Sequence, residues 1–365
     1  MIFLLLFLTF LISVFLQFID DNKINKNLIL IFTLFLFYYL TFGVTDTADW
    51  EAYLWRFDDP DSKSDLLFRY LTVLAVLLGY SFEIIYQLHL VIFGFFFAFF
   101  ISRFTKNIFL VLIFYLVINY VPLVNQIRYY LALSFFLSSM YLLFCAKRKV
   151  LSVLLLILSI LSHSSMVVLI LFPFLSHYST NKNFLKRIFY ASFSLFVLVF
   201  CFITLGISNF LPHYDLYFGK ELTSSIIGGI FNNLPFIIFI IFLYIKQKSD
   251  VLKYPELLED QKFILLSRLS LFTIIFIPAA FYLQVLGHRY VQGFLVVWIC
   301  LFLYPLRLEK SFYPYFSSLI GLLSLLIFLL FYIYILTPLL FGEADSYRFE
   351  FVRSFNSIDY LPDIK

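Results

Sequence analysis

Charge is what this sequence lacks most. Only 13% of its 365 residues are Asp, Glu, Lys or Arg, 63% are hydrophobic, and the mean hydropathy is +0.97. A water-soluble domain of this size does not show that balance, so a soluble enzyme is excluded and a chain dissolved in lipid is implied. Cysteine is nearly absent: Cys145, Cys201 and Cys300 stand singly in apolar runs, with no spacing for a disulfide framework or metal ligation. Also missing are a glycine-rich phosphate loop, an internal repeat of roughly 20 to 50 residues, and any stretch polar enough for a soluble catalytic domain. The formal net charge of +4 comes mostly from Lys and Arg in short turns between apolar runs. That is a topology signal, and no nucleic-acid partner is expected. The 52 Phe and 26 Tyr are spread over nearly every segment, so aromatic stripes mark no single site.

What is present is a series of apolar runs punctuated by basic turns. Residues 1–18 lack a basic leader and a small-residue cleavage site, so a retained helix is expected there rather than a signal peptide. Lys23 and Lys26 place the first turn inside, and residues 28–44 return outward. Residues 45–65 then form an acidic outer loop, in which Asp46, Asp49, Glu51, Asp58, Asp59, Asp61 and Asp65 outnumber Arg56 and Lys63. The run 66–78 is short of the ~20 residues that cross a bilayer, and counting it as a span would put Arg103 and Lys106 outside. An interfacial or re-entrant helix is expected there.

Runs 84–101, 108–121 and 129–145 cross in, out and in, ending at the basic turn Lys147, Arg148 and Lys149. Runs 150–161 and 166–175 are each too short to cross, so a broken hairpin with His163 near its tip is expected, with one long helix as the alternative. Further spans are expected over 188–206, 230–245, 263–285, 290–304 and 315–336. Between them lie a second outer loop at 207–229, holding a flexible Gly228 and Gly229 pair, and the largest inner loop at 246–262. The expected fold class is all-α, a polytopic integral membrane protein of roughly 10 to 12 transmembrane helices. Residues 1–340 read as one polytopic domain and 341–365 as a short tail.

Two polar constellations stand out inside this apolar chain. One is Asn125, Gln126, Arg128 and Tyr129; the other is Ser162, His163, Ser164 and Ser165. With the Lys147 to Lys149 turn inside, Arg128 lies one helix away at the outer face. Arg289, in the segment GHRYVQG with His288 and Tyr290, lies at the outer face too, and like Arg128 it precedes a Tyr at the start of an inward helix. Neither short turn, 122–128 or 286–289, contains an acid. A guanidinium is a rigid fork of donors suited to phosphate or carboxylate, so each arginine is read as a functional cation. The competing reading is snorkelling to the interface or pairing with acids of the 45–65 loop.

His163 sits in otherwise aliphatic surroundings, where a neutral imidazole can act as general base on a sugar hydroxyl. It reads equally well as a helix-break histidine bonded to carbonyls that the kink exposes. His288 is a second candidate base, whereas His89, His177 and His213 are expected at the interface. Asp46 and Asp49 with Glu51 have carboxylates that hard cations take, but their spacing is unspecific. A solvated loop is expected, with Asp46 and Asp49 as partners of a substrate hydroxyl or an arginine, and no metal site.

Taken together, Asp49, Trp50 and Tyr53 of the acidic loop, LFRYL at 67–71, NQIRYYLA at 125–132 and SILSHSSMV at 159–167 resemble the EpsG-like family of Wzy-type polysaccharide polymerases. The resemblance covers most of the chain. It implies a bacterial inner-membrane glycosyltransferase of O-antigen, capsule or exopolysaccharide assembly. Such an enzyme joins undecaprenyl-diphosphate-linked oligosaccharide repeat units at the outer leaflet, with inversion at the anomeric carbon and no cofactor. Its partners would be the lipid-linked oligosaccharides, the lipid bilayer, and a chain-length regulator and flippase of the same pathway. The resemblance assigns diphosphate binding to Arg128 and a base role to His163, and it matches Arg289 only loosely. The expected site is thus His163, Arg128 and Arg289 for catalysis, with Asn125, Gln126, Tyr129, Asp46, Asp49, Tyr53, His288 and Tyr290 binding substrate. A diphosphate leaving group can be stabilised by fixed cations without a metal. An O-antigen ligase-like transferase would differ mainly in its acceptor. A membrane acyltransferase should carry its histidine toward a cytoplasmic acyl donor, and a flippase should show repeat symmetry or a large charged cavity.

Overall fold

The computed structural model describes residues 31, 49–59, 65–176, 181–204, 226–309, 312–336 and 340. The expected spans over 1–18 and 28–44 (apart from Ile31), together with Asp46, most of the second outer loop and the tail, lie outside these. Among the described residues the chain is helical, with no strand. This is what a lipid-dissolved backbone requires, since a helix pairs every interior N–H and C=O within itself. Among the described residues, six helical stretches are long and apolar enough to cross a membrane: Phe82–Ser102, Ile127–Phe144, Asn183–Phe202, Ile226–Lys253, Gln261–Ala280 and Gln284–Leu308. Shorter apolar helices accompany them at Leu66–Leu77, Ile108–Tyr120, Lys149–Ser162, Ser164–Ser176 and Tyr315–Phe331. The chain is an all-α, multi-pass membrane protein. Its contacts fall into two compact units that divide between Ile170 and Leu171.

In the first unit the elements run α1 (Trp50–Asp58), α2 (Leu66–Leu77), α3 (Phe82–Ser102), α4 (Ile108–Asn125), α5 (Ile127–Phe144) and α6 (Lys149–Ser162), followed by a 3-10 turn at Ser164–Ile170. At its centre is α5, buried on nearly all sides. It lies antiparallel to α6 through small hydroxyl residues. Ser139 Oγ donates to Ser152 O at 2.7 Å, Ser152 Oγ donates to Ser139 O at 3.0 Å, and Ser159 Oγ donates to Ala132 O at 2.7 Å. Serine at such a seam lets two backbones approach and satisfies the hydroxyls where no water does. Parallel to α5 runs α3, with Phe93 on Tyr130, Phe96 on Phe135 and Phe99 on Tyr141. At their shared lower end Arg103 covers the Phe99 and Tyr141 rings, at 4.3 and 5.7 Å, so this cation and the Lys147 to Lys149 turn lie at one end of the unit.

The 66–78 run forms α2, 12 residues that rise about 18 Å, too little to span hydrocarbon. It packs on α3 and α6 and exposes Tyr70, Leu74 and Leu77. Gly79, at φ 72°, stops it: the Tyr80 and Gly79 amides bond to Ala75 O and Val76 O, a helix end that needs a left-handed residue. His89, expected at the interface, is enclosed by the protein. It is buried, its Nδ1–H donates to Ile85 O at 2.8 Å, and its ring meets Phe68. That local acceptor makes interior burial tolerable.

The second unit contains α7 (Leu171–Ser176), α8 (Asn181–Thr204), α9 (Ile226–Lys253), α10 (Gln261–Phe272), α11 (Ile277–Ala280), α12 (Gln284–Leu286), a π-turn at Gly287–Val291, α13 (Leu295–Leu303) and α14 (Phe312–Phe331). The wholly buried α13 sets Trp298 against Phe236 and Phe239 of α9. Gly228 and Gly229 are not in a flexible loop: they lie inside α9, where a Cβ on Gly229 would stand 1.9 Å from Phe281 O. Close approach to the Phe281 backbone, not conformational freedom, is what Gly229 supplies. The inner loop expected at 246–262 is also shorter, since α9 continues to Lys253 and a 3-10 turn covers Pro255–Leu258. Lys246 stays in the helix because Asp250, one turn on, accepts from it at 2.5 Å and the Phe302 ring covers its ammonium. Asp260 caps α10, accepting from the Lys262 and Phe263 amides, and also accepts from Tyr304 Oη at 2.8 Å and from Arg307.

Candidate functional site

The site grows from the start of α1. Asp49 and Asn125 bind each other reciprocally: the Asp49 N–H donates to Asn125 Oδ1 at 2.7 Å, and Asn125 Nδ2 donates to Asp49 Oδ2 at 3.1 Å. This clamp fastens the outer loop to the end of α4, which runs on three residues past Pro122 to Asn125 and closes with the Gln126 N–H bonded to Pro122 O at 2.8 Å. Just after it, Trp50 packs edge-on to Phe82 and Tyr86, and Tyr53 lies between Phe68 and Phe82. Tyr86 Oη in turn donates to Val124 O at 2.5 Å. Burial raises the Tyr53 phenol above its usual pKa, against the pull of the neighbouring Arg128.

Arg128, in the first turn of α5, points into this aromatic nest. Its guanidinium lies 5.1 Å from the Tyr53 ring centre and 5.5 Å from that of Phe68. Nη1 donates to Asp65 Oδ2 at 2.8 Å, with the two side chains only 14% and 11% exposed. The absence of an acid in the local turn therefore did not leave Arg128 unpaired. The loop acid is supplied across 63 residues, so the competing pairing holds for Arg128 and its charge is compensated. Nε is buried and has no hydrogen-bond partner among the described residues.

The chain breaks at His163, which caps α6 in an extended conformation (φ −154°, ψ 114°) before the 3-10 turn. The single long helix is thereby excluded. Continuing the α5 and α6 seam past Ser159 and Ala132 brings His163 level with Arg128 and Tyr129, and its ring meets Tyr129 at 5.7 Å. Asp65 reaches this break as well, since its Oδ1 accepts from the Ser164 N–H at 2.9 Å. His163 Nδ1 lies 2.7 Å from Ser165 Oγ and accepts from the Ser165 N–H at 3.3 Å. A backbone N–H can only donate, so Nδ1 is an acceptor and the neutral ring carries its proton on Nε2.

Asp49, Tyr53, Asn125, Gln126, Arg128, Tyr129 and His163 thus converge at the end of the first unit opposite the basic turn. Gln126 and Tyr129 are buried there. Arg289 and Tyr290 belong to the second unit, in the π-turn that also holds His288; Arg289 is half-buried, and Tyr290 stacks on Phe276 at 4.5 Å. Asp46, His177 and His213 lie outside the described residues. Among the described residues no three His, Cys, Asp or Glu side chains group as a metal site. Two residues of the site were not singled out from sequence. Asp65 was one acid of seven, its signal being only its place just before an apolar helix. Arg56, half-buried on α1, has its pKa pushed down by burial and then by the Arg128 guanidinium beside it.

No curated protein and no solved structure matches this chain. A family model does match, over residues 26–343, a range that includes every described residue of the site. The chain belongs to the EpsG family.

Proposed function

We propose that this protein is a Wzy-like polysaccharide polymerase that lengthens a lipid-linked glycan at the outer membrane face. Membership of the EpsG family supports a polymerase of surface polysaccharide in general terms. The multi-pass helices supply a bilayer setting in which a lipid-diphosphate donor would already reside. The observation that carries the site is the meeting of Arg128 with the His163 helix break, at the end of the unit opposite Arg103 and Lys147 to Lys149. By the positive-inside rule that end faces outward.

In the proposed reaction a hydroxyl of one lipid-linked unit attacks the anomeric carbon of the growing glycan. The bond from that carbon to the diphosphate oxygen breaks, its electron pair leaves with the diphosphate, and the hydroxyl proton passes to a water at the outer face. Arg128 stabilises the developing charge, and its unpartnered Nε is a donor that a bound anion would satisfy. We read His163 as a donor in place of the base expected from sequence: with Nδ1 accepting from the Ser165 N–H, Nε2–H is the ring's donor, and an oxygen of the diphosphate or glycan is its proposed acceptor. Inversion, undecaprenyl diphosphate as the carrier, and a bacterial inner-membrane location go with this reading. The test is purified protein in lipid with synthetic lipid-linked repeat units and EDTA, followed by gel analysis. A glycan ladder is expected. Units transferred once to a different acceptor would replace the polymerase by a ligase, and no transfer would overturn the reading.

A further inference from the structure

We infer that Asp65 is a positioning residue of this site, one that holds the Arg128 cation and the His163 break in a fixed mutual relation. The inference rests on the polymerase reading above. Asp65 stands at the N-cap of α2, where an aspartate ordinarily accepts from the amides of its own helix. It makes no such bond. Both oxygens are committed elsewhere: Oδ2 to Arg128 Nη1 at 2.8 Å on α5, and Oδ1 to the Ser164 N–H at 2.9 Å, next to His163. These partners are 63 and 99 residues away in sequence, and one small carboxylate spans both. A side chain that forgoes its local cap to bridge a cation and a backbone break fixes the geometry of both. With the guanidinium held by Asp65 and the break pinned at Ser164, Arg128 and the chain at His163 would meet a bound anion from fixed positions.

The carboxylate also competes with a diphosphate for the same guanidinium. This gives the role a kinetic signature that a purely structural one lacks. Asp65→Asn keeps an oxygen for the Ser164 amide but offers Arg128 no charge. Arg128 then binds the donor more readily and orients it worse, so both KM for the lipid-diphosphate donor and kcat should fall, by about 3- to 10-fold and about 10- to 100-fold. Asp65→Glu keeps the charge on a longer arm that cannot serve both partners in the same geometry. Its KM should stay at the wild-type value while kcat falls about 3- to 10-fold. The experiment measures both variants beside wild type in nanodiscs, with synthetic polyprenyl-diphosphate-linked units as the probe. A reduced rate at unchanged KM in Asp65→Asn would make Asp65 merely structural and overturn the inference, and a raised KM would do so by making it a substrate contact. If Asp65→Asn does not accumulate, wild-type kcat in Asp65→Glu refutes the role. A wild-type protein that transfers nothing refutes the polymerase reading instead.

Discussion

Replacing Arg128 by lysine separates a planar fork from a point charge at a position whose acid partner is Asp65. In the wild type one guanidinium bonds Asp65 through Nη1, faces the Tyr53 and Phe68 rings, and retains an unpartnered Nε. A lysine ammonium is compact and strongly hydrated, and it can satisfy Asp65 or a phosphate oxygen but not both in the same planar geometry. Losing one charge-assisted hydrogen bond costs about 1.5–3 kcal/mol. Losing the stacked cation on two rings costs about 0.5–1 kcal/mol more. At about 1.4 kcal/mol per tenfold, a total of about 2–4 kcal/mol lowers kcat/KM roughly 30- to 1,000-fold. Arg128→Ala should lose at least as much activity and also stability, because it strands the Asp65 carboxylate at 11% exposure. Discounted for that residual exposure, the stability loss is about 2–4 kcal/mol. Kinetics with lipid-linked units in EDTA, paired with thermal unfolding of each variant in detergent, read the two effects separately. Arg128→Lys within about threefold of wild type would reduce the role to diffuse electrostatics, and an active Arg128→Ala would remove the residue from the site.

His163→Gln retains an amide N–H donor and should keep activity within about 10-fold of wild type, while His163→Ala should lose roughly 100-fold, the usual cost of one catalytic donor. Equal and complete loss in both would restore the base role. Gly229→Ala drives a methyl into Phe281 O and should destabilise by about 1–3 kcal/mol, seen as a lower Tm; an unchanged Tm would contradict the close approach of α9. Asp260 has a depressed pKa: burial raises it, but the Tyr304 hydroxyl, the Lys262 amide and Arg307 together outweigh that. A depressed folded pKa means that the stabilisation is present above the unfolded aspartate value of about 4 and is lost as pH falls through the lower folded value. Asp260→Ala should therefore be less stable at neutral pH, by about 0.5–2 kcal/mol from the cap alone, and converge on wild type under strong acid. A pH-independent difference would place the effect in packing. Finally, a membrane-impermeant thiol reagent applied from outside should label a cysteine at the exposed Glu51 of α1 and not one at the exposed Arg148; the reverse pattern would invert the topology.

The sequence by itself determined that this chain is an all-α membrane protein, because an apolar run can enter lipid only as a helix and basic turns stay inside. It also placed Arg128 at the end away from Lys147 to Lys149, since one helix separates it from that turn, whereas His163 was read only as lying near the tip of a broken hairpin. The short 66–78 run and the helix break near His163 were legible for the same reason: neither neighbouring run has the length to cross. Tertiary structure alone decided which acid meets Arg128. Seven carboxylates in the 45–65 loop were within plausible reach, and hydropathy does not rank them. The choice of Asp65 depends on where α2 begins relative to α5 and α6, a three-dimensional fact spread over 63 and 99 residues. The proton on His163 Nε2 was likewise decided by a hydrogen bond from the Ser165 amide, which exists only because the chain breaks there. Gly229 reads as part of a flexible loop in sequence and becomes a contact point once Phe281 lies against it. One-dimensional patterns report the partition between lipid and water, whereas pairing is decided by distances that only the packed helices set.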